Sequence, residues 1–226
     1  MSASVLASVV ILRIHEFARR PVSEQARLRA QLEAVVAVTM AELEPDSRIV
    51  LDASDGVAIV VLRDPEGALR LAGRALAAAA AGLPLAAGIN HGAVQLTGNG
   101  KAEGMMGDGI AVAASVAQFA PPAQLRVSRS FRDALADAAP GSEALLVPKG
   151  TSTDSSLRRH ELFARDARAV RRRTRRYRAL SAAALVLLVA AGVGWRISVD
   201  GQEAFVNGVV TKSQSYVRGL AKKVNF

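Results

Sequence analysis

The chain has 226 residues, half of them hydrophobic, and no cysteine. This length suffices for one domain of ordinary size with appendages. The absence of cysteine excludes disulfides, zinc–thiolate sites and cysteine nucleophiles, and it is typical of a reducing compartment. The net charge of +9 is unevenly spread, because residues 1–165 carry 17 basic and 17 acidic residues. The excess positive charge therefore lies after residue 165.

The first part of the chain predicts a helix and a hairpin, after a first strand that is expected at residues 8–14. Residues 21–43 place apolar side chains at spacings of three and four, which predicts an amphipathic helix. In residues 48–62, Asp55-Gly56 separates two β-branched runs. This pattern predicts two strands joined by a tight turn.

The next segments predict alternating helices and strands. An alanine-rich helix is expected over residues 64–81, a strand over 85–96 and a helix over 109–119. A strand, a helix near 130–138 and two more strands follow. We therefore predict an α+β fold with a ferredoxin-like βααββαβ sheet and helices on one face, followed by one transmembrane helix.

Asp55 is the first candidate for chemistry. An aspartate at a hairpin tip can hold a divalent metal ion, or it can be only a turn residue. The three histidines, His15, His91 and His160, have no metal-ligand spacing. The chain also lacks a phosphate-binding loop, a nucleophile elbow and a zinc-binding helix motif.

Several segments between residues 5 and 165 follow one another in a familiar order. They are residues 8–14, residues 21–43, Ser54-Asp55-Gly56, Leu85–Val94 with its Gly-Ile-Asn-His-Gly sequence, Gly107–Val116, which begins Gly-Asp-Gly-Ile-Ala, Gln124–Ser128, and the pair Val147–Gly150 and His160–Phe163. Together they resemble the class III nucleotidyl cyclase domain. The resemblance implies magnesium or manganese with a nucleoside triphosphate, and a head-to-tail dimer whose two sites lie between the chains.

The residues at the implied catalytic positions depart from that family. Of its two metal-binding aspartates, the second aligns with Asp55 and the first with Ile14 or a neighbour. The transition-state asparagine and arginine fall on Ala111 and Ser115, the purine-selecting lysine on Leu51 and the purine-selecting acid near Gly104. One carboxylate cannot assemble a two-metal site. Each missing transition-state donor typically costs about 100- to 1000-fold in rate, so we expect little activity.

Glu16 offers one route to a rewired site. If the first strand continues to Glu16, its side chain lies on the face of Ile14 and can share a metal ion with Asp55. The alternative is that Glu16 lies in a loop and faces water. His91 either contacts a phosphate or is a partly exposed strand residue, and Asp108 is expected at a helix start. An active enzyme would take its charge donors from Arg13, Lys101 or Arg126, which are candidates by charge alone.

The chain beyond the globular part predicts a membrane anchor. Residues 179–195 form 17 consecutive uncharged residues ending in Trp195, and a helix of this length spans about 26 Å. A buried core helix is the alternative. The preceding segment, 166–178, is rich in arginine. The positive-inside rule then places residues 1–165 in the cytoplasm and the tail, 196–226, outside an inner membrane that the chain crosses once.

The arginines before this run are expected to contact anionic lipid headgroups. They are Arg171, Arg172, Arg173, Arg175, Arg176 and Arg178. Nucleic acid is not expected as a partner, because Tyr177 is the one aromatic residue in the cluster.

Three functions follow from these observations. The first is a non-catalytic, membrane-anchored cyclase homology domain that signals by dimerisation with itself or with a cyclase-like chain, by nucleotide sensing or by partner binding. The second is an active nucleotidyl cyclase that uses Asp55 and Glu16. The third is an envelope scaffold that works through its tail. Whether the chain is an enzyme is left open, and no cofactor is assigned unless it is active.

Overall fold

A seven-stranded sheet with four α-helices forms the described part of the computed structural model, which covers residues 3–41, 43–79, 82–96 and 107–166. The strands are β1 (Ala3–Ile14), β2 (Arg48–Ala53), β3 (Gly56–Leu62), β4 (Leu85–Leu96), β5 (Leu125–Ser128), β6 (Leu146–Thr153) and β7 (Arg159–Arg165). The helices are α1 (Val22–Met40), α2 (Pro65–Ala79), α3 (Asp108–Gln118) and α4 (Arg129–Ala138). These elements belong to one unit of the chain, Met1–Ala167.

The strand order is β2-β3-β1-β4-β5-β7-β6. Strand β1 pairs antiparallel with both β3 and β4, and β2 forms a hairpin with β3. The four strands β2-β3-β1-β4 have the order of a ferredoxin-like sheet. The predicted α+β class is therefore confirmed. Strand β5 extends the sheet in parallel to β4, and the β6–β7 hairpin completes it.

The predicted element string was wrong between the first two strands. The string βααββαβ counts two helices there, whereas the residue pattern predicted one, over 21–43. The structure has one α-helix in this interval, α1, with a short 3-10 turn, Phe17–Arg19, before it. After Met40 the chain passes through the short 3-10 turn Pro45–Ser47 and enters β2 directly.

The prediction that all helices lie on one face was also wrong. Helices α1, α2 and α4 pack on one face, where the core contains Leu28, Leu71 and Phe131. Helix α3 packs on the opposite face through Ala113 and Ala117. Both faces of the central strands are therefore covered.

Glycine on β4 allows α3 to approach closely. A Cβ atom added to Gly88 would lie 2.4 Å from the backbone nitrogen of Ala117 and 2.5 Å from its Cα atom. The absence of a side chain at Gly88 thus sets how near α3 can lie to the sheet.

None of the described helices is long and apolar enough to cross a membrane. Several predictions fall outside the described residues: the candidates Lys101 and Gly104, the arginines at 171–178, the apolar run 179–195 and the tail 196–226.

Candidate functional site

The β2–β3 hairpin brings Asp55 to the end of β1. Ala53 pairs with Gly56, so the loop consists of Ser54 and Asp55, and neither has a positive φ. A Cβ atom on Gly56 would lie 2.0 Å from the carbonyl oxygen of Leu12. Glycine is therefore needed here for the close approach of two strands rather than for an unusual φ angle.

Arg13 is the side chain that meets Asp55. On β1, Arg13 lies opposite Gly56, and its Nε donates a hydrogen bond to Asp55 Oδ2. Ile14 is fully buried in the core on the other face of β1. The residue that faces Asp55 is therefore Arg13, the neighbour of Ile14. Arg13 is a cation, whereas the resemblance implies a carboxylate at this position.

Arg29 of α1 hydrogen-bonds to the same hairpin tip. Its Nη1 donates to the carbonyl oxygens of Ala53 at 2.8 Å and Gly56 at 3.2 Å, and its Nη2 lies 3.2 Å from Asp52 Oδ1. Arg29 was not among the residues predicted from the sequence, because nothing in a helical pattern shows which distant carbonyl a surface arginine reaches.

Glu16 lies in the turn after β1 and has a partner of its own. It has a left-handed φ of 55°, and its carboxylate accepts a hydrogen bond of 2.9 Å from Arg19. No cluster of three or more histidine, aspartate or glutamate side chains suited to a metal ion occurs among the described residues. A metal shared by Glu16 and Asp55 stays a prediction.

A cleft of about 540 Å³ opens between the hairpin and α3. It is lined by Ile11, Arg13, Val50, Leu51, Asp52, Ala53, Asp55, Ala58, Ile110, Ala114 and Gln118. The volume is in the range of small-molecule sites. Most of the lining is apolar, and the position implied for a purine-selecting lysine is the apolar Leu51.

Helix α3 carries the positions implied for transition-state stabilisation. Ala111 has no polar side chain. The Ser115 hydroxyl lies 3.0 Å from Asp154 Oδ2 and 3.1 Å from the carbonyl oxygen of Ala111. Ser115 is therefore within hydrogen-bond distance of two acceptors of its own chain.

Asp154 has hydrogen-bond partners on α3, on β7 and in the loop between β6 and β7. Its carboxylate, only 2% exposed, lies 2.9 Å from His160 Nε2 and accepts the backbone N–H groups of Ser156 and Arg158 at 2.9 Å each. Arg158 Nε also donates to it. The hydrogen bond with His160 is the main reason that the pKa of Asp154 lies well below its ordinary value, and burial opposes this shift.

The other candidates lie outside the lining of the cleft. Asp108 is the first residue of α3, as predicted, and accepts a 2.7 Å hydrogen bond from Arg158. His91 Nδ1 lies 3.1 Å from the Ser8 hydroxyl, and partial burial lowers the pKa of His91. Arg126 donates to the Gln124 side chain and the Leu125 carbonyl, and burial lowers its pKa.

Comparisons with known proteins give matches at the level of structure. No family model and no curated protein matches the sequence. The guanylate cyclase domain of RhGC from Catenaria anguillulae, solved with GTP, is 13% identical with a TM-score of 0.58, and the match covers 73% of this chain and 98% of that one. The adenylate/guanylate cyclase/hydrolase from Silicibacter pomeroyi is 16% identical with a TM-score of 0.57 and the same coverage.

The adenylyl cyclase CyaB from P. aeruginosa is 13% identical with a TM-score of 0.54, and the match covers 74% of this chain and 96% of that one. The TM-scores establish the fold, whereas identities this low leave the activity open. The chain therefore has the fold of the adenylyl and guanylyl cyclase domains, which confirms the resemblance at that level.

Proposed function

We propose that this chain is a non-catalytic cyclase homology domain that acts in signalling by binding. One observation carries the proposal. Helix α3 offers no transition-state donor, because Ala111 lacks a polar side chain and the Ser115 hydroxyl lies within hydrogen-bond distance of Asp154.

The rate consequences are large. Each missing donor lowers the rate by about 100- to 1000-fold, so the loss of two lowers it by roughly 10⁴- to 10⁶-fold if their effects multiply. Asp55 adds to this deficit because its carboxylate already accepts a hydrogen bond from Arg13. The proposal therefore predicts product formation too slow for a signalling enzyme.

The proposed partner is a second cyclase-like chain, either a copy of this one or an intact cyclase. The resemblance implies a head-to-tail dimer, and the cleft beside α3 has the apolar lining that protein interfaces bury at their centre. Within the dimer, this chain would supply half of each site. Nucleotide binding without turnover is the second mode of action in the same proposal.

We further propose that the domain works at the cytoplasmic side of an inner membrane. The support is the order of the sequence, in which a neutral globular part precedes the arginines at 171–178 and the uncharged run 179–195.

Product formation tests the proposal. Full-length protein in membranes would receive ATP, GTP, CTP and UTP with manganese, and mass spectrometry would detect cyclic nucleotides. Asp55→Ala serves as the matched background. Equal traces of product from both proteins are expected. A cyclic nucleotide that wild type makes and Asp55→Ala does not would overturn the non-catalytic reading.

A further inference from the structure

The charged side chains around the cleft are already paired within the chain. Two carboxylates line it, and each meets an arginine: Asp55 meets Arg13, and Asp52 meets Arg29. The local charge at the hairpin tip is therefore balanced before any ligand arrives.

These residues do not fit a divalent metal ion. Magnesium requires several oxygen ligands in near-octahedral arrangement and gives up its water reluctantly. To bind a metal ion, the Asp55 carboxylate would have to give up the hydrogen bond that it accepts from Arg13 Nε. The Asp52 carboxylate is 91% exposed and already lies 3.2 Å from Arg29 Nη2, so it too is paired with a cation.

Arg13 reaches Asp55 because of the register between β1 and β3. Its Cα lies opposite Gly56, the residue directly after Asp55. The backbone N–H of Ile14 donates to the Asp55 carbonyl at 2.8 Å, which fixes the turn against the end of β1. The two side chains are each about one-third exposed, at 31% and 33%. The ion pair between the Arg13 guanidinium and the Asp55 carboxylate is therefore partly exposed to solvent.

From this arrangement we propose that Arg13 is a built-in cation that takes the place of a metal ion at Asp55. The Arg13–Asp55 pair balances the carboxylate at the hairpin tip, and the cleft works without a divalent cation. This inference rests on the proposed non-catalytic function and specifies how its site differs from a metal-dependent one.

Manganese binding tests the inference directly. Full-length wild type, Asp55→Asn, Arg13→Asp and the double variant Arg13→Asp/Asp55→Asn would be purified in detergent and titrated with Mn²⁺. The free ion would be measured by its electron paramagnetic resonance signal. Wild type and Asp55→Asn should behave alike. Arg13→Asp should bind one Mn²⁺ at least tenfold more tightly than wild type, and the double variant should lose this binding.

Arg159→Asp is the matched control, because it makes the same change of charge at an exposed position of β7 outside the cleft lining. It should leave Mn²⁺ binding as in wild type. A cooperative thermal transition would show that each variant is folded. If Arg13→Asp does not fold, the comparison of wild type with Asp55→Asn still decides the question.

Two results would overturn the inference. One is Mn²⁺ binding by wild type that Asp55→Asn abolishes. The other is a folded Arg13→Asp protein that binds no more Mn²⁺ than Arg159→Asp. Either result is separable from the proposed function: Mn²⁺ at Asp55 without product refutes only the role of Arg13, and product without Mn²⁺ at Asp55 refutes only the non-catalytic reading.

Discussion

Replacing Gly88 by alanine tests how closely α3 packs on the sheet. The added Cβ would lie 2.4, 2.5 and 2.7 Å from the N, Cα and Cβ atoms of Ala117. Two of these are backbone atoms, so no side-chain rotation relieves the contact. Since ordinary contacts begin near 3.4 Å, α3 would have to move away from β4 by about 1 Å.

The cost of this overpacking follows from measurements on other cores. Inserting a methyl group into a well-packed core typically costs about 1–3 kcal/mol. For a domain of this size, each kcal/mol lowers the unfolding temperature by roughly 2–4 °C. Gly88→Ala should therefore unfold about 2–12 °C below wild type in a calorimetric or fluorescence melt.

Gly73→Ala on α2 is the matched control. Its Cβ would meet Arg165 Nη1 at 2.7 Å, and the end of that flexible side chain can move. Alanine is favoured over glycine in a helix by about 1 kcal/mol, so this variant should be as stable as wild type or more stable. Equal melting temperatures for wild type and Gly88→Ala, or equal losses in both variants, would refute the packing described for α3.

Three further substitutions have expected outcomes. Arg29→Ala removes the hydrogen bonds to two carbonyls of the hairpin tip and should lower the free energy of unfolding by about 1–2 kcal/mol in a denaturant titration. Asp154→Asn should flatten the acid limb of a melting-temperature profile, because the lowered pKa of Asp154 gives stability above about pH 4 that is lost as the pH falls further. Phe131→Ala removes a fully buried side chain and should lower the free energy of unfolding by about 3–5 kcal/mol.

Surface variants provide the comparison for the stability measurements. Arg27→Ala removes an arginine that is 61% exposed on the same helix as Arg29, and Val38→Ala shortens a residue that is 70% exposed. Each should change stability by less than about 0.5 kcal/mol. If Arg27→Ala destabilises the protein as much as Arg29→Ala, the hydrogen bonds to the hairpin tip are not the cause. If Asp154→Asn follows the wild-type acid profile, the depressed pKa of Asp154 contributes nothing to acid stability.

Local patterns predicted most of the strands and helices, because each leaves a signature within ten or so residues. The β2–β3 hairpin is an example, since a polar turn separates two β-branched runs. No such local pattern showed which face of the sheet each side chain of β1 lies on. Val9 and Val10 are both fully buried on opposite faces, so alternation of polar and apolar residues did not show whether Arg13 or Ile14 faces Asp55.

The contacts that define the candidate site were beyond sequence reasoning because they join distant parts of the chain. Ser115 and Asp154 are 39 residues apart, and Arg13 and Asp55 are 42 apart. The strand rule applied to Glu16 assumed that β1 continues, whereas it ends at Ile14 and Glu16 takes a left-handed φ.

The non-catalytic function and the role of Arg13 can be tested together in a crystal structure of the full-length protein grown with Mn²⁺ and a non-hydrolysable nucleoside triphosphate analogue. Anomalous data at the manganese edge would locate the ion. No manganese is expected at Asp55, and the Arg13–Asp55 and Ser115–Asp154 contacts should be intact. Manganese bound to the Asp55 carboxylate, with Ser115 turned towards the nucleotide, would contradict it.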